Sequence, residues 1–241
     1  MDIGISGENG ENGFDPAKGL NSLGQVVGGD NTFQPFLWQG GKSEYLDTPK
    51  GIGVALAING LGEISGSATV GQEGHAARWM NGKYEDIHPA WSNHSLGVDI
   101  NQSDNIAGWA FRTSGGQRPV LWQGDKAIDL GDFGGGIGEA RALNDLDQVV
   151  GNATNEQFIQ TGFLWEKGNL YKLEDLIPGG SGFVNLEIPF SINNNGQLLC
   201  SGFTGNDNHW LLLNPVPEPE PLIAMMVGIC VAILRRIVRR E

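Results

Sequence analysis

The chain has 241 residues, a formal net charge of −13 and seven tryptophans. Its 38 glycines and 11 prolines are too much punctuation for a helical protein, and its aromatic content is too high for a disordered one. So acidic a chain would repel a phosphate backbone, which argues against a nucleic-acid partner; with only two cysteines, stability must come from packing and not from a disulfide framework.

In chain order, the opening MDIGISGENGENG has neither a basic region nor an apolar core, so by itself it does not read as a secretory signal. Residues 1–16 are expected to form an N-terminal segment, with IGISG at 3–7 available as a closing strand. Residues 17–214 then repeat. GLNSLGQVVGG (19–29), AINGLGEISGS (57–67), DINQSDNIAGW (99–109), ALNDLDQVVGN (142–152) and SINNNGQLLCSG (191–202) share one pattern: an aliphatic residue, Asn, two variable positions, Gly or Asp, a polar residue, two mostly aliphatic residues and Gly. Each is followed by a second element: PFLWQGGK (35–42), AARWMNGK (76–83), PVLWQGDK (119–126), GFLWEKGN (162–169) and HWLLLNP (209–215). Asn21, Asn59, Asn101, Asn144 and Asn193, and Trp38, Trp79, Trp122, Trp165 and Trp210, mark five copies of about 42 residues.

The first element predicts a hairpin closed by a type I turn. Asn accepts from the backbone ahead of it, and Gly or Asp at the fourth position tolerates a left-handed conformation. The second predicts a tight two-residue hairpin at Gly40-Gly41, Asn81-Gly82, Gly124-Asp125 or Lys167-Gly168, with a return strand ending at Asp86-Ile87, Asp129-Leu130 or Asp175-Leu176. Four short strands per unit cannot bury both faces alone and must stack on their neighbours. The expectation is an all-β repeat protein, a β-propeller of about five four-stranded blades with the repeated Trp between blades, plus a short C-terminal hydrophobic helix. The fifth unit meets proline early and lacks its fourth strand.

DLGDFGGGIGEARALNDLDQVVG (129–151) followed by GFLWEKG (162–168) resembles the bacterial extracellular HAF repeats, named for a His-Ala-Phe-like stretch before the Trp. Here that stretch reads His75-Ala76-Ala77, Pro119-Val120-Leu121 and Gly162-Phe163-Leu164, so the name-giving residues are only partly kept. The resemblance implies an extracellular, propeller-like protein without a defined biochemical activity.

The tail, 215–241, resembles a PEP-CTERM sorting signal: Val216-Pro217-Glu218-Pro219, an apolar span at 222–234, then Arg235, Arg236, Arg239 and Arg240. Thirteen helical residues at about 1.5 Å each fall short of a ~30 Å hydrocarbon core. Extending the helix to 222–238, with the arginines snorkelling, gives a marginal crossing that keeps the arginines cytoplasmic. The resemblance implies recognition by an exosortase-like membrane protease of a Gram-negative bacterium. It also implies transient anchoring in the inner membrane, release to the cell surface or extracellular space, and association with exopolysaccharide or biofilm. An exosortase substrate must first be exported, and residues 1–20 supply no export signal.

No catalytic, cofactor or metal constellation stands out. His88 and His94 share the linker DIHPAWSNHS but fit no familiar ligand spacing. GGDN (28–31) and TGNDN (204–208) lack the alternation of a calcium loop, and GDFGGGIG (131–138) reads as a connector, not a phosphate loop. Cys200 reads as a small buried hydrophobe. Trp91 and Trp109, outside the repeated position, read as packing residues or sugar platforms. The expected function is a non-enzymatic exported surface or matrix protein, with polysaccharide as its most plausible ligand. The alternative is a propeller-type glycoside hydrolase or lyase drawing carboxylates such as Asp99, Asp132 and Glu139 from several blades.

Overall fold

The computed structural model describes residues 17–177, 185–205 and 207–216. Five antiparallel sheets follow one another along the chain, each with its strands in sequence order. The first comprises β1 (Ala17–Leu20), β2 (Val26–Gly29), β3 (Pro35–Gln39) and β4 (Lys42–Tyr45). The second holds β5 (Gly53–Ile58), β6 (Ile64–Val70), β7 (Glu73–Met80) and β8 (Lys83–Asp86); the third holds β9 (Ser92–Ile100), β10 (Ile106–Arg112), β11 (Gln117–Gln123) and β12 (Lys126–Asp129). The fourth has β13 (Gly134–Leu143), β14 (Val149–Asn155), β15 (Gln160–Glu166) and β16 (Asn169–Lys172), followed by the single turn of α1 (Leu173–Leu176). The fifth has three strands: β17 (Asn185–Ile192), β18 (Leu198–Thr204) and β19 (Asp207–Leu213). The chain divides after Leu130 into two compact units, the first holding three sheets and the second two.

The all-β expectation and the five sheets are therefore seen. The proposed closing strand at 3–7 and the C-terminal helix at 222–238 lie outside the described residues, among which no helix is long and apolar enough to cross a membrane. The fourth repeat departs from expectation. Its return strand ends at Lys172, and Asp175-Leu176 sit in α1, which packs Leu173 and Leu176 into the core.

The repeated Asn does two jobs. Asn59 Oδ1 accepts from the backbone N–H of Leu61 and of Glu63, both at 3.0 Å, and Gly62 at φ 83° donates back to the Asn59 carbonyl. The fourth turn position is left-handed in every copy, as Gly24, Gly62, Asp104, Asp147 and Gly196. The amide nitrogen then reaches beyond its own turn. Asn21 Nδ2 donates to the Asn59 carbonyl at 2.9 Å, Asn59 Nδ2 to that of Asn101 at 3.0 Å, and Asn144 Nδ2 to that of Asn193 at 3.0 Å. A turn residue is thus also a latch between consecutive repeats.

The repeat's glycine after the two aliphatic residues has a steric cause. In the second, third and fourth repeats a bulge in the first strand brings a carbonyl against the second: a Cβ at Gly66 would lie 1.9 Å from the Val54 oxygen, one at Gly108 2.0 Å from that of Leu96, and one at Gly151 2.0 Å from that of Glu139. The fifth repeat carries Cys200 at this position, fully buried, where burial pushes its thiol pKa up to about 12. It is a packing residue.

The core lies between sheets. In the first unit Trp79 is buried with Val27, Leu46, Ala55 and Ile64 between the first two sheets, and its Nε1–H donates to the Asp47 carbonyl at 2.6 Å. Trp122 repeats this one sheet later, among Ala76, Ile100, Ile106 and Val120, with Nε1–H on the Ile87 carbonyl at 2.7 Å. Trp38 and Trp165 are also buried, at 9% exposure. Trp210 does not continue the series. Register places Leu213 opposite Leu198, where the other repeats place their Trp, and Trp210 is 67% exposed against Phe190, 4.9 Å between ring centroids. The sequence alignment followed the side chain, while the hairpin register set the position.

Candidate functional site

The β7–β8 hairpin turns at Asn81 and Gly82, both left-handed, which fixes Ala77 opposite Asp86. Two residues further out on each chain stand His75 and His88. Their rings stack at 3.8 Å with an interplanar angle of 11°. His75 Nδ1 lies 2.8 Å from Asp86 Oδ2, and Asp86 Oδ1 accepts the backbone N–H of His88 at 2.9 Å, so the carboxylate is fixed from both sides. A carboxylate on Nδ1 leaves the lone pair on Nε2, the arrangement of a histidine base oriented by an acid. Nε2 faces Glu73, whose Oε2 is 3.7 Å away.

His88 is wired differently. Its Nδ1 lies 2.7 Å from Ser95 Oγ and its Nε2 2.9 Å from the Ser92 carbonyl; a carbonyl can only accept, so Nε2 donates and Nδ1 accepts the serine hydroxyl. Burial holds the His88 pKa below its ordinary value, against the Ser92 carbonyl and nearby carboxylates that favour the cation. Ser95, buried at 2% exposure, also accepts the Ala76 backbone N–H at 2.8 Å. Asp86 bonds His75 and not the His88 ring, so Ser95 and His88 form no nucleophilic triad.

Glu73, His75 and His88 bring one ligand atom each to within 4.8 Å of one another. Near-parallel stacked rings direct their in-plane lone pairs side by side, and both His88 nitrogens are already engaged. This geometry suits proton transfer at His75 better than chelation. In the linker that follows, Trp91 and the β10–β11 loop frame a cavity of about 370 Å³ lined by Trp91, Arg112, Thr113, Ser114 and Asp129. The stack and the cavity adjoin through Ser92, whose carbonyl receives His88 and which pairs with Arg112 in the sheet.

Sequence reasoning considered His88 with His94 and missed His75. His94 Nδ1 instead accepts the Gly74 backbone N–H at 3.0 Å. Asp30 of GGDN closes a turn, its Oδ1 accepting from Thr32 N and Gln34 N. Gly134–Gly138 of GDFGGGIG belong to β13 and not to a connector. Asp99, Asp132 and Glu139 are each in local bonds, to Ile100 N, Gly134 N and the Arg141 guanidinium. Trp91 is half-buried, packing between the second and third sheets while lining the cavity; Trp109 is half-buried edge-on to Phe111 at 5.5 Å. Of the sorting signal only Val216 falls among the described residues; Pro217, Glu218, Pro219 and the four tail arginines lie outside them.

No family model matches the sequence, and no curated protein matches it. Among solved structures, the chain is similar to one described as "the putative gluconolactonase", with 13% identity and a TM-score of 0.46 over 83% of this chain and 75% of that one. The expectation of a non-enzymatic matrix component is corrected to this extent: a solved protein that the chain is similar to is described as an enzyme. At that identity and TM-score the likeness carries no argument about chemistry, and the case for an enzyme rests on side chains.

Proposed function

We propose that the chain is a propeller-type carbohydrate-active enzyme, a hydrolase or lyase, with His75 as its general base. The observation that carries this is the Asp86–His75 pair, with Nε2 facing Glu73 at the end of a sheet. Asp86 holds the tautomer and Nε2 takes a proton from the water that displaces the glycosidic oxygen, or from a carbon next to a carboxyl group as the neighbouring C–O bond breaks; the proton then passes to the departing sugar oxygen from His75, directly or by way of Glu73. Glu73 is 47% exposed and His75 14% exposed at their side chains, so both are reached from solvent. The neighbouring tryptophan-lined cavity with its hydroxyls and charged groups supports a sugar as substrate. In this reading the five sheets close into a ring, with residues 3–7 supplying the fifth sheet's missing strand. The tail then delivers the enzyme to the cell surface through an exosortase-like protease and the inner membrane.

The test is release of reducing ends and of unsaturated uronate ends from a panel of neutral and acidic polysaccharides, by the natural sequence and by His75→Gln. Turnover that falls about 10²–10⁴-fold in the variant is expected. Failure of the natural sequence on every substrate, or unchanged turnover in His75→Gln, overturns the reading. Mass spectrometry of the mature C-terminus in an exosortase-bearing host tests the tail separately: an intact Glu241 ends the processing proposal. Deleting residues 1–8 should lower the melting temperature sharply, and no change would dispose of the closing strand.

A further inference from the structure

The cavity beside the histidine stack is built, not incidental. The β10–β11 loop closes on itself through Arg112 N to the Gly116 carbonyl and Gly115 N to the Arg112 carbonyl, both at 2.9 Å. Thr113 N donates to the Trp91 carbonyl at 3.1 Å, tying the linker to the loop. Trp91 also packs against the intersheet core cluster that includes Ala76, Ala110 and Val120. Arg112 Nη2 donates to Asp129 Oδ2, and Arg118 Nε lies 3.1 Å from both oxygens of the same carboxylate. Asp129 thus aims the Arg112 guanidinium, still 44% exposed, at the cavity. In the second repeat the same loop is the tight turn at Gly71-Gln72, between strands whose ends Val70 and Glu73 pair, and it offers no such wall.

We propose that this cavity binds a sugar ring bearing a carboxylate, a uronic-acid residue of a polysaccharide. Each wall matches one part of that ligand. The indole takes the apolar face of a pyranose, as aromatic side chains cover flat, weakly polar surfaces. Thr113 and Ser114, both exposed, offer hydroxyls to ring hydroxyls, and Asp129 accepts from them. The planar guanidinium of Arg112, with five N–H donors, takes a carboxylate in two parallel bonds. A volume of about 370 Å³ lies within the usual range for small-ligand sites, roughly 300–1,000 Å³. A phosphate would set two charges against Asp129 in a chain of net charge −13, so the singly charged acid is the better match. Loop closure by backbone bonds means little ordering cost is left for binding.

The choice of a sugar over another carboxylate rests on the carbohydrate reading above, but the test separates the two. Titration calorimetry of the full chain compares galacturonate and glucuronate disaccharides with neutral disaccharides of the same linkage. The natural sequence should bind at least one uronide at least tenfold more tightly than its neutral counterpart. Arg112→Gln should remove that preference, and Arg112→Lys, which keeps charge but loses the fork, should restore only part of it. Circular dichroism and thermal melting confirm that the variants fold; a variant that fails to fold is replaced by Ser114→Val, which should weaken uronide binding severalfold. Equal affinity for neutral and acidic sugars, no binding of either, or full preference in Arg112→Gln would overturn the proposal. Binding without turnover would retain this site and reject the enzyme, whereas turnover independent of Arg112 would do the reverse.

Discussion

The second and third repeats place a carboxylate at the same point and give it different partners. Asp86 stands opposite Ala77, two residues before Trp79, and Asp129 stands opposite Val120, two residues before Trp122. Four residues before the tryptophan, the second repeat has His75 and the third Arg118. Arg118 keeps its charge at any physiological pH and its side chain is only 9% exposed, so its pair with Asp129 is a clamp. An imidazole, unlike a guanidinium, can serve as a base near neutral pH, and His75 Nε2 faces away from its carboxylate toward Glu73. One hairpin geometry therefore holds a clamp in the third repeat and, in the proposed reading, a base in the second.

The largest separation should come from removing the two carboxylates. Asp129→Ala takes an acid from two guanidiniums, one of them buried, and should cost about 3–5 kcal/mol in urea unfolding. Asp86→Ala leaves a histidine that can simply stay neutral, so a loss of about 1.5 kcal/mol or less is expected, with a much greater loss of turnover. If the two variants are equally destabilised, the distinction between clamp and dyad fails.

A smaller effect on stability, and a sharper one on function, comes from copying one repeat into the other. His75→Arg recreates the Arg118–Asp129 pairing at Asp86, in a half-buried place with a ready counter-ion. The unfolding free energy should move by no more than about 1 kcal/mol, while turnover disappears because a guanidinium cannot accept a proton. Retained activity would remove His75 from the mechanism.

Much of the fold was legible because it is local and repeated. The Asn turns, their left-handed fourth position and the two-residue hairpins depend on residues within five positions of each other, and all are found as read. The latch from Asn21, Asn59 and Asn144 to the next repeat was not legible, since its acceptor is a backbone carbonyl 38–49 residues away. Trp210 misled because residue identity was matched where register decides. The site was half hidden. Its residues are spread over a hairpin and the following linker, yet stepping outward from the turn at Asn81-Gly82 sets His75 opposite His88, a count that could have been made on the sequence. Trp91 was noticed, but the loop that completes its cavity looks in sequence like any polar turn.

The finest difference between the two repeats is a pH dependence. Two residues beyond its carboxylate, the second repeat has His88; the third has Gly131 there, which cannot titrate. Burial is the chief cause that lowers the His88 pKa, with His75 acting in the same direction and the Ser92 carbonyl, Asp86 and Glu73 acting against it. Its folded pKa therefore lies below its ordinary value of 6.5, and the unfolded chain binds the proton more readily. The contribution to stability is complete above pH 6.5 and is lost as pH falls from there through the folded pKa. Melting temperature should decline over that window in the natural sequence and more gently in His88→Gln, with both measured at constant ionic strength. Parallel curves would mean that the decline does not belong to His88, which then only supports the stack.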